Sequence, residues 1–248
     1  MGKFRDKVVC ITGSDGGIGR VLSKKFAAEG ATLILTSIAD SPSFEDFVSE
    51  LKSEYKVEVY PFFFDLTDEE AIKEGLKAIK ALKLKIHVLI NNAGIPHLAI
   101  LPFTRMSDVR KVFQVNYFAQ LQITQSLLSV IVKDGTGCIL NAASIAGIDG
   151  DIGNSVYGAT KASMILMTKV LSKELASSKI RVNAVAPGLT STPFADAMGD
   201  KAKASMEQIS SMGRMATPDE IANTYFFLAS DDASFINGQV IRVDGGVK

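Results

Sequence analysis

Seven short apolar segments, separated by stretches with helical periodicity, constrain the fold of this chain more than any other feature. The segments cover residues 8–12, 32–37, 57–64, 87–92, 138–143, 181–186 and 239–243. Continuous apolar runs of this length are typical of strands that are covered on both faces. Strands that alternate with helices predict a doubly wound α/β fold, a mostly parallel seven-stranded sheet flanked by helices. No linker or repeat interrupts the chain, so we expect one domain over residues 1–248.

The charge balance and the cysteines narrow the classes of function. The chain has 27 Lys and Arg residues against 27 Asp and Glu residues, so we expect no nucleic-acid or membrane partner. Neither a secretory leader nor a run of transmembrane length is visible. Cys10 and Cys138 lie in apolar runs, which predicts buried free thiols and neither a disulfide nor a metal site. The expected location is the cytoplasm.

Two helices carry start signals. Thr67 with Glu70 predicts a capping box, and a second box is predicted where Thr217 precedes Pro218 and Glu220.

A glycine-rich turn follows the first strand directly. Gly13, Gly17 and Gly19 in "TGSDGGIGR" stand between that strand and a helical pattern. A turn of this kind lets the backbone approach a pyrophosphate at a helix N-terminus, although the spacing differs from G-x-G-x-x-G. Asp65, at the end of the third strand, is consistent with a hydrogen bond to an adenine amino group and equally with the opening of a turn.

Tyr157 and Lys161 are four residues apart in "SVYGATKAS". On a helix, residues at this spacing share a face. An ammonium beside a phenol can lower the pKa of the phenol, which gives a proton donor or acceptor usable near neutral pH. The same nine residues also fit an ordinary amphipathic helix.

Taken in order, the segments "TGSDGGIG", "INNAG", "YGATK" and "VNAVAPGLTST" resemble the short-chain dehydrogenase/reductase family, and the resemblance covers essentially the whole chain. The C-terminal part is similar to the branch that contains 3-oxoacyl-(acyl-carrier-protein) reductases and glucose or other sugar dehydrogenases. The resemblance implies a Rossmann-type fold, NAD or NADP as cofactor, and hydride transfer between nicotinamide and a secondary alcohol or ketone.

Four catalytic residues are implied by the resemblance. Tyr157 would donate a proton to a carbonyl or accept one from an alcohol. Lys161 would favour the phenolate and hydrogen-bond the nicotinamide ribose. Ser144 would polarise the substrate oxygen, and Asn116 would hold a water that relays protons to the lysine.

The resemblance also implies where the cofactor lies. Asn92, Ala93 and Gly94 would support it from a strand end, Pro187 and Gly188 would shape the nicotinamide pocket, and Thr192 would contact the carboxamide. The full set of implied cofactor-binding residues is Gly13, Asp15, Gly17, Ile18, Gly19, Ser37, Asp65, Leu66, Asn92, Ala93, Gly94, Tyr157, Lys161, Pro187, Gly188 and Thr192.

The choice between NAD and NADP depends on the end of the second strand. NAD-dependent relatives usually carry an acidic residue at the position of Ser37, and NADP-dependent relatives usually carry Arg or Lys at Gly16 or Ile38. This chain has neither. Asp15 would lie close to a 2′-phosphate, and like charges about 4 Å apart repel by about 1 kcal/mol in water. With no base visible to offset Asp15, the sequence favours NAD; Asp40 adds a second carboxylate nearby.

Four residues depart from the family pattern or carry unusual charge near the site. His87 replaces a usual Asp and is interpreted as a packing or surface variation without a catalytic role. His97 follows "NNAGIP" and is expected in solvent, with the substrate cleft as the alternative. Asp149 and Asp151 are interpreted as solvated loop tips, with contacts to substrate hydroxyls or a cation as the alternative.

The substrate stays open between a 3-oxoacyl thioester and a small sugar, polyol or metabolite ketone. An acidic carrier protein would need a basic docking surface, and the segments around the fifth and sixth strands offer only Lys133 beside Asp134, and Lys179 with Arg181. The non-enzyme alternative, a dinucleotide-binding sensor or scaffold, would be expected to lack part of the catalytic set, all of which is present.

Two further expectations concern assembly and motion. The resemblance implies a homotetramer with contacts through helices around residues 107–132 and 156–176 and through residues 218–243. A substrate lid is expected at residues 189–212, which are rich in small and flexible apolar side chains.

Overall fold

A computed structural model describes residues 2–193 and 208–247 of the protein. Most of the expected substrate lid, residues 194–207, therefore lies outside the described residues. The described strands are β1 (Val8–Ile11), β2 (Thr32–Ser37), β3 (Val59–Phe63), β4 (Val88–Asn91), β5 (Cys138–Ala142), β6 (Arg181–Pro187) and β7 (Val240–Val243).

Helices and short helical turns connect these strands. The α-helices are α1 (Gly17–Ala28), α2 (Pro42–Tyr55), α3 (Glu69–Ala81), α4 (Met106–Phe113), α5 (Ala119–Leu127), α6 (Ser155–Glu174) and α7 (Pro218–Ala229). A π-helical turn, Gln114–Phe118, joins α4 to α5. Short 3-10 turns cover Leu101–Phe103, Ile145–Gly147, Ala176–Ser178 and Asp231–Ala233.

The seven strands form one sheet in the order β3-β2-β1-β4-β5-β6-β7, and every neighbouring pair is parallel. The predicted doubly wound, Rossmann-type fold is thereby confirmed. The order reverses between β1 and β4, and in open α/β sheets ligands bind outside the carboxyl ends of the strands at such a switch point. The glycine turn after β1 and the "NNAG" segment after β4 meet at this place.

The core has two layers because strands that are buried on both faces turn successive side chains to opposite sides. Val9 and Ile11 of β1 pack with α1, α2 and α7 on one side of the sheet. Val8 and Cys10 pack with α3 and α5 on the other side. Cys10 and Cys138 are free and buried, as predicted, and burial raises the pKa of Cys10 to about 12 and that of Cys138 to about 11.

The start of α3 differs from the prediction. Asp68, and not Thr67, is the N-cap: its carboxylate accepts hydrogen bonds from the backbone N–H of Glu70 at 2.9 Å and of Ala71 at 3.1 Å. The carboxylate satisfies two otherwise unpaired donors at once, which is why it takes the cap. The box at the start of α7 is confirmed, since the side chains and backbones of Thr217 and Glu220 bond reciprocally.

A buried polar ladder crosses the middle of the sheet. Asn91 on β4 and Asn141 on β5 face each other in register. Asn91 Nδ2 donates to Asn141 Oδ1 at 2.8 Å and to the Thr124 hydroxyl at 2.8 Å, and Asn141 Nδ2 donates to the Thr168 hydroxyl at 2.9 Å. The ladder joins β4, β5, α5 and α6, which carry or flank the candidate site.

None of the described helices is both long enough and apolar enough to span a membrane.

Candidate active site

The backbone geometry of the turn after β1 requires glycine at two positions. Gly13 has a φ of 62°, in the left-handed region that favours glycine. A Cβ on Gly19 would lie 2.2 Å from the Gly13 carbonyl oxygen, so only glycine fits at the first turn of α1. The backbone N–H groups at the start of α1 therefore remain accessible to an anion at the helix N-terminus.

Thr12, a residue that the sequence did not single out, fastens this turn to the segment after β4. Its buried hydroxyl accepts from the backbone N–H of Asn92 and of Ala93, both at 3.0 Å. Asn92 Nδ2 in turn donates to the carbonyls of Thr12 at 3.0 Å and Gly13 at 3.1 Å. Gln120 completes the cluster by donating to the Ala93 carbonyl at 3.3 Å. A polar residue at the end of an otherwise apolar strand was the available signal.

The third wall of the expected cofactor site comes from the chain after β6. A Cβ on Gly17 would lie 2.9 Å from Thr192 Cγ2, so Thr192 lies over the glycine turn. A Cβ on Gly188 would lie 2.8 Å from Asp244 Cα, which explains glycine directly after Pro187. Residues from the turns after β1, β4 and β6 thus surround one cradle. The glycines and the start of α1 are of the kind that would let a dinucleotide's pyrophosphate approach the backbone N–H groups of a helix N-terminus.

The adenosine end of the cradle combines buried and open side chains. Ser37, the last residue of β2, is buried, whereas Ile38 is 68% exposed beside it. Asp65 opens a turn, since one of its carboxylate oxygens accepts from the backbone N–H of Thr67 at 2.8 Å. The carbonyl of Leu66 accepts from Gln114 Nε2 at 3.2 Å. The turn predicted for Asp65 is present, and the hydrogen bond to an adenine amino group stays a prediction.

Asp15 is not an isolated negative charge, contrary to the sequence interpretation. Its carboxylate accepts from Arg20 Nη2 at 2.5 Å and from Arg20 Nε at 3.1 Å. The same guanidinium donates to the Ser43 hydroxyl at 2.9 Å and lies 4.7 Å from the ring centroid of Phe47. A base therefore does offset Asp15, and repulsion by Asp15 alone cannot decide between NAD and NADP.

Ser144, Tyr157 and Lys161 meet at the carboxyl end of β5. Ser144 caps the 3-10 turn that follows β5, and its hydroxyl hydrogen-bonds the phenol of Tyr157. Lys161 is 3% exposed, and its Nζ donates to the Ala142 carbonyl at 2.8 Å and lies 5.7 Å from the centroid of the Tyr157 ring. The spacing in sequence thus produces one helix face, as predicted, with serine supplied by the adjoining strand end.

Small residues hold the serine turn against α6. A Cβ on Gly158 would lie 2.6 Å from the Ala146 carbonyl oxygen, and a Cβ on Gly147 would lie 2.6 Å from the Ala162 nitrogen. The turn and the helix therefore touch through their backbones.

The pKa of Tyr157 moves opposite to the prediction. Burial raises the pKa of Tyr157 to about 12, although the hydrogen bond with Ser144 acts in the other direction. Burial also lowers the pKa of Lys161 to about 8. The predicted lowering fails because burial disfavours the phenolate by more than the hydrogen bond with Ser144 favours it. Tyr157 therefore keeps its proton at neutral pH.

Asn116 lies in the π-helical turn, a local irregularity often found at functional sites. It is buried, accepts from the backbone N–H of Ile95 at 2.8 Å, and donates to the Ile95 carbonyl at 3.0 Å and the Thr160 hydroxyl at 3.2 Å. A Cβ on Gly94 would lie 3.3 Å from Asn116 Oδ1 and 3.5 Å from Lys161 Nζ. Gly94 thus leaves the space in which these two groups converge.

The two histidines occupy different surroundings. His87 Nδ1 accepts from the backbone N–H of Val8 at 3.0 Å, so it supports the sheet, and partial burial lowers its pKa. His97 is half-buried, and its Nδ1 is buried without a hydrogen-bond partner, so it is not a solvated loop histidine. Among the described residues, no group of three or more His, Cys, Asp or Glu side chains is arranged to hold a metal ion.

Asp149 is an exposed loop residue, as expected, and it is also ion-paired. Its two carboxylate oxygens bond the two terminal nitrogens of Arg242 at 2.8 and 2.9 Å. Asp151 is exposed, as expected, and accepts from the backbone N–H of Ile152 at 2.7 Å.

A doubly wound sheet with a glycine cradle at its switch point, and a serine, a tyrosine and a lysine beside it, define a dinucleotide-dependent oxidoreductase. Comparison with known proteins agrees with this class. Residues 13–248 match the family model described as enoyl-(acyl carrier protein) reductase. The chain belongs to the short-chain dehydrogenase/reductase family, and it is an NAD(P)-dependent oxidoreductase that acts on alcohol or ketone groups.

Relatives with different named substrates are similar over their whole length. The chain is 38% identical to 3-oxoacyl-[acyl-carrier-protein] reductase of Thermotoga maritima, with 99% of each chain covered. It is 32% identical to meso-2,3-butanediol dehydrogenase of Serratia marcescens, covering 98% of this chain and 95% of that protein. The structure of L-sorbose reductase from Gluconobacter frateurii, complexed with NADPH and L-sorbose, superimposes with a TM-score of 0.89 at 26% identity, covering 100% of this chain and 98% of that one.

Proposed function

We propose that Tyr157, Ser144, Lys161 and Asn116 form the catalytic set and that the residues of the cradle bind the dinucleotide. One observation carries the proposal: the side chains of Ser144 and Tyr157 are hydrogen-bonded to each other beside the buried Lys161. When bound, the dinucleotide supplies hydride to a substrate carbon or accepts hydride from it.

The protein residues manage the charge and the proton on the substrate oxygen. As a carbonyl is reduced, negative charge develops on its oxygen, and the Ser144 hydroxyl and the Tyr157 phenol stabilise that charge by hydrogen bonding. Tyr157 donates its proton to the oxygen, and the phenol is protonated at neutral pH. Lys161, together with a water held by Asn116, would return a proton to Tyr157, and the proximity of both side chains to Gly94 supports this relay.

A turnover screen tests this proposal. The purified protein is assayed against a panel of ketones and secondary alcohols with NAD(H) and NADP(H), following absorbance of the reduced cofactor. Turnover by the unmodified protein that is lost in Tyr157→Phe supports catalysis by this set of residues. Tight dinucleotide binding without turnover on any panel member would instead support the sensor or scaffold alternative.

We propose a small ketone or secondary alcohol with an apolar body as the substrate. The loops at the site end of the sheet expose large apolar side chains, among them Leu98 at 59%, Ile152 at 83% and Met212 at 66%. The backbone N–H of Ala99 donates to the Gly153 carbonyl at 3.0 Å, so two of these loops lie against each other. Such a rim offers few hydrogen bonds to a sugar and favours apolar contact.

An acyl carrier protein receives little support as a partner. Arg181 is one of the few basic residues near the fifth and sixth strands. It is buried and donates to the carbonyl of Leu228 at 2.8 Å, so it cannot serve as a docking residue. The named activities of the relatives include an acyl-carrier reductase, a diol dehydrogenase and a sugar reductase, so they do not choose among these classes.

For substrate choice, we expect ketones with an apolar chain or ring to have kcat/KM values at least about tenfold above those of a polyhydroxylated ketone such as sorbose, because each buried methylene contributes about 0.8 kcal/mol. Ile152→Ser should reduce this advantage, whereas Phe235→Ser, at an exposed position remote in sequence from the site loops, should not. A sugar or polyol that outperforms every apolar ketone would contradict the proposal.

We propose that NAD is preferred over NADP. Arg20 is engaged by Asp15 and Ser43. Beyond β2, the carboxylates of Asp40 and Glu45 lie close enough for Asp40 to raise the pKa of Glu45. A 2′-phosphate would therefore approach like charges rather than an open cation.

The expected result is a kcat/KM at least several-fold higher with NAD than with NADP for one substrate. Asp15→Asn should raise the NADP value by freeing Arg20 to pair with the 2′-phosphate, and should change the NAD value little. The structure of the sorbose reductase with NADPH shows that this relative binds the phosphorylated cofactor. A preference for NADP above tenfold in the unmodified protein would contradict the proposal.

We propose a homotetramer as well. Exposed apolar residues lie on the helical faces expected to form contacts, Leu121 of α5 and Leu166 and Val170 of α6, and Phe227 of α7 is exposed on the second expected surface. Burial of such patches is a common driving force for assembly. Light scattering at micromolar concentration should give about four times the chain mass of 26.6 kDa, and a monomeric mass would contradict the proposal.

A reducing compartment such as the cytoplasm is proposed from the two buried free thiols, Cys10 and Cys138.

A further inference from the structure

Arg242, at the solvent-facing side of β7, holds two carboxylates at once. Its Nη1 and Nη2 bond the carboxylate of Asp149 at 2.9 and 2.8 Å, and its Nε and Nη2 bond that of Asp244 at 2.8 and 2.7 Å. Every nitrogen of the guanidinium is engaged. A planar fork used in this way fixes direction as well as distance, which a lysine could not do.

One of the two partners belongs to the serine turn. Asp149 is five residues after Ser144, and its backbone N–H donates to the Ile145 carbonyl at 2.9 Å. The same turn touches the catalytic helix at Gly158, beside Tyr157. A displacement of Asp149 would therefore also displace the turn that carries the Ser144 hydroxyl.

The other partner belongs to the wall of the cofactor cradle. Asp244 is only 9% exposed and also accepts from the backbone N–H of Gly246 at 3.0 Å. Its backbone abuts Gly188, and the backbone N–H of Gly188 donates to the Val243 carbonyl at 3.0 Å. Gly188 follows Pro187, and both are expected at the nicotinamide pocket.

The C-terminal turn is tied to a third segment. The backbone N–H of Met212 donates to the Gly245 carbonyl and that of Ser211 to the Gly246 carbonyl, both at 3.1 Å. Met212 is part of the exposed apolar rim at the mouth of the site. The clamp formed by Asp149, Arg242 and Asp244 thus connects the serine turn, the Gly188 wall and this part of the rim.

We propose that Arg242 is a positioning residue for the reaction: by clamping Asp149 to Asp244 it sets the separation between the substrate-oxygen donors on the Ser144 side and the nicotinamide wall on the Gly188 side. The inference rests on the proposed function, because it assigns these two sides to substrate oxygen and nicotinamide. Arg242 itself need not touch either molecule.

The two sides must be held at a defined separation because hydride transfer requires close alignment of the reacting atoms. Misplacement by about 1 Å can cost about a hundredfold in rate. The ion pair itself is half-exposed, and exposed pairs contribute about 0–1 kcal/mol to stability. An effect on turnover that exceeds the effect on folding is therefore the signature of positioning.

The test is a double-mutant cycle of Arg242→Gln and Asp149→Asn with the enzyme's best substrate. Each single variant should lower kcat/KM by about tenfold, and the double variant should be little worse than either, because the cycle breaks one connection. The dissociation constant of the dinucleotide, measured by fluorescence, should stay within about twofold of the unmodified value. Arg242→Lys should restore only part of the loss, since a lysine cannot span both carboxylates.

Lys24→Gln is the matched control, because Lys24 pairs with Glu50 at 2.6 Å with similar exposure between α1 and α2. It should leave kcat/KM unchanged. Arg242→Gln with kcat/KM within twofold of the unmodified enzyme, additive losses in the double variant, or a fall in Tm that accounts for the lost activity would each overturn the inference. If the unmodified enzyme has no turnover, the proposed function fails instead, and the two failures are thereby distinguished.

Discussion

Tyr157→Phe is expected to lower kcat by a factor of about 10²–10⁴, the usual contribution of a general acid or base. The phenyl ring fills the same space on α6, so the packing of the serine turn against the helix should survive. Only the proton and the hydrogen bond with Ser144 are removed. The dissociation constant of the dinucleotide should consequently stay nearly unchanged.

Steady-state kinetics and a fluorescence titration with the dinucleotide separate these two effects. Tyr55→Phe is the matched control, since Tyr55 ends α2, away from the carboxyl ends of β4 and β5, and its replacement should leave kcat unaltered. Residual activity of Tyr157→Phe above about a hundredth of the unmodified enzyme would show that another group supplies the proton.

Lys161→Met should also reduce kcat/KM strongly, by at least about a hundredfold, comparable to the loss of an electrostatic donor in other active sites. Methionine is similar in length and apolar, so it can occupy the buried position of Lys161, but it cannot hold a charge or donate to the Ala142 carbonyl. Lys169→Met, two turns further along α6 and exposed, is the control. Activity of Lys161→Met within tenfold of the unmodified enzyme would remove Lys161 from the catalytic set.

Stability should respond to Lys161→Met in a pH-dependent manner. The folded protein has a pKa of about 8 at Lys161 against 10.5 for the ordinary side chain. Between these values the unfolded chain binds the proton and the folded chain does not, so the free energy of unfolding of the unmodified protein rises with pH through this window. Burial of the charged ammonium lowers the free energy of unfolding by at most about 3 kcal/mol, and this cost is fully present below pH 8.

The measurement is denaturant unfolding of both proteins from pH 7 to pH 10. Raised pKa values at Cys10, Cys138 and Tyr157 make both proteins less stable as the pH approaches their ordinary pKa values. These contributions cancel in the difference between the two curves, which isolates Lys161. The stability of the variant relative to the unmodified protein should therefore be greatest at pH 7 and should decline above pH 8; a constant difference would contradict the proposed burial of the charge.

Much of the fold and the site could be predicted because the signals are local. Apolar runs of strand length predicted all seven strands, and parallel pairing then brought their carboxyl ends to one edge. The spacing of Tyr157 and Lys161 needed only a helix to place them side by side. Ser144 could be expected beside them only through the family resemblance, since nothing local ties it to residue 157.

The incorrect predictions concern features that depend on distant parts of the chain or on total burial. The direction of the pKa of Tyr157 is set by the surrounding protein rather than by the neighbouring lysine. The pairing of Asp149 with Arg242, which lies 93 residues away, likewise leaves no local sign in the sequence. Asp15 and Arg20 are five residues apart across the junction of a turn and a helix, a separation for which no regular spacing rule exists. Thr67 and Asp68 are adjacent and are both suitable N-cap residues for α3, and the backbone conformation places Asp68 at the cap.

The paired amides of Asn91 and Asn141 bear on how errors in strand alignment are rejected. A slip of one residue between β4 and β5 would send the two side chains to opposite faces of the sheet. Two buried amides would then lose partners, at a cost of about 1–3 kcal/mol for each unsatisfied group. Apolar neighbours such as Ile90 and Leu140 would tolerate the slip far better, since dispersion contacts are not directional. The alignment of β4 and β5, whose ends lead to Gly94 and Ser144, is thus secured by two polar residues inside the sheet.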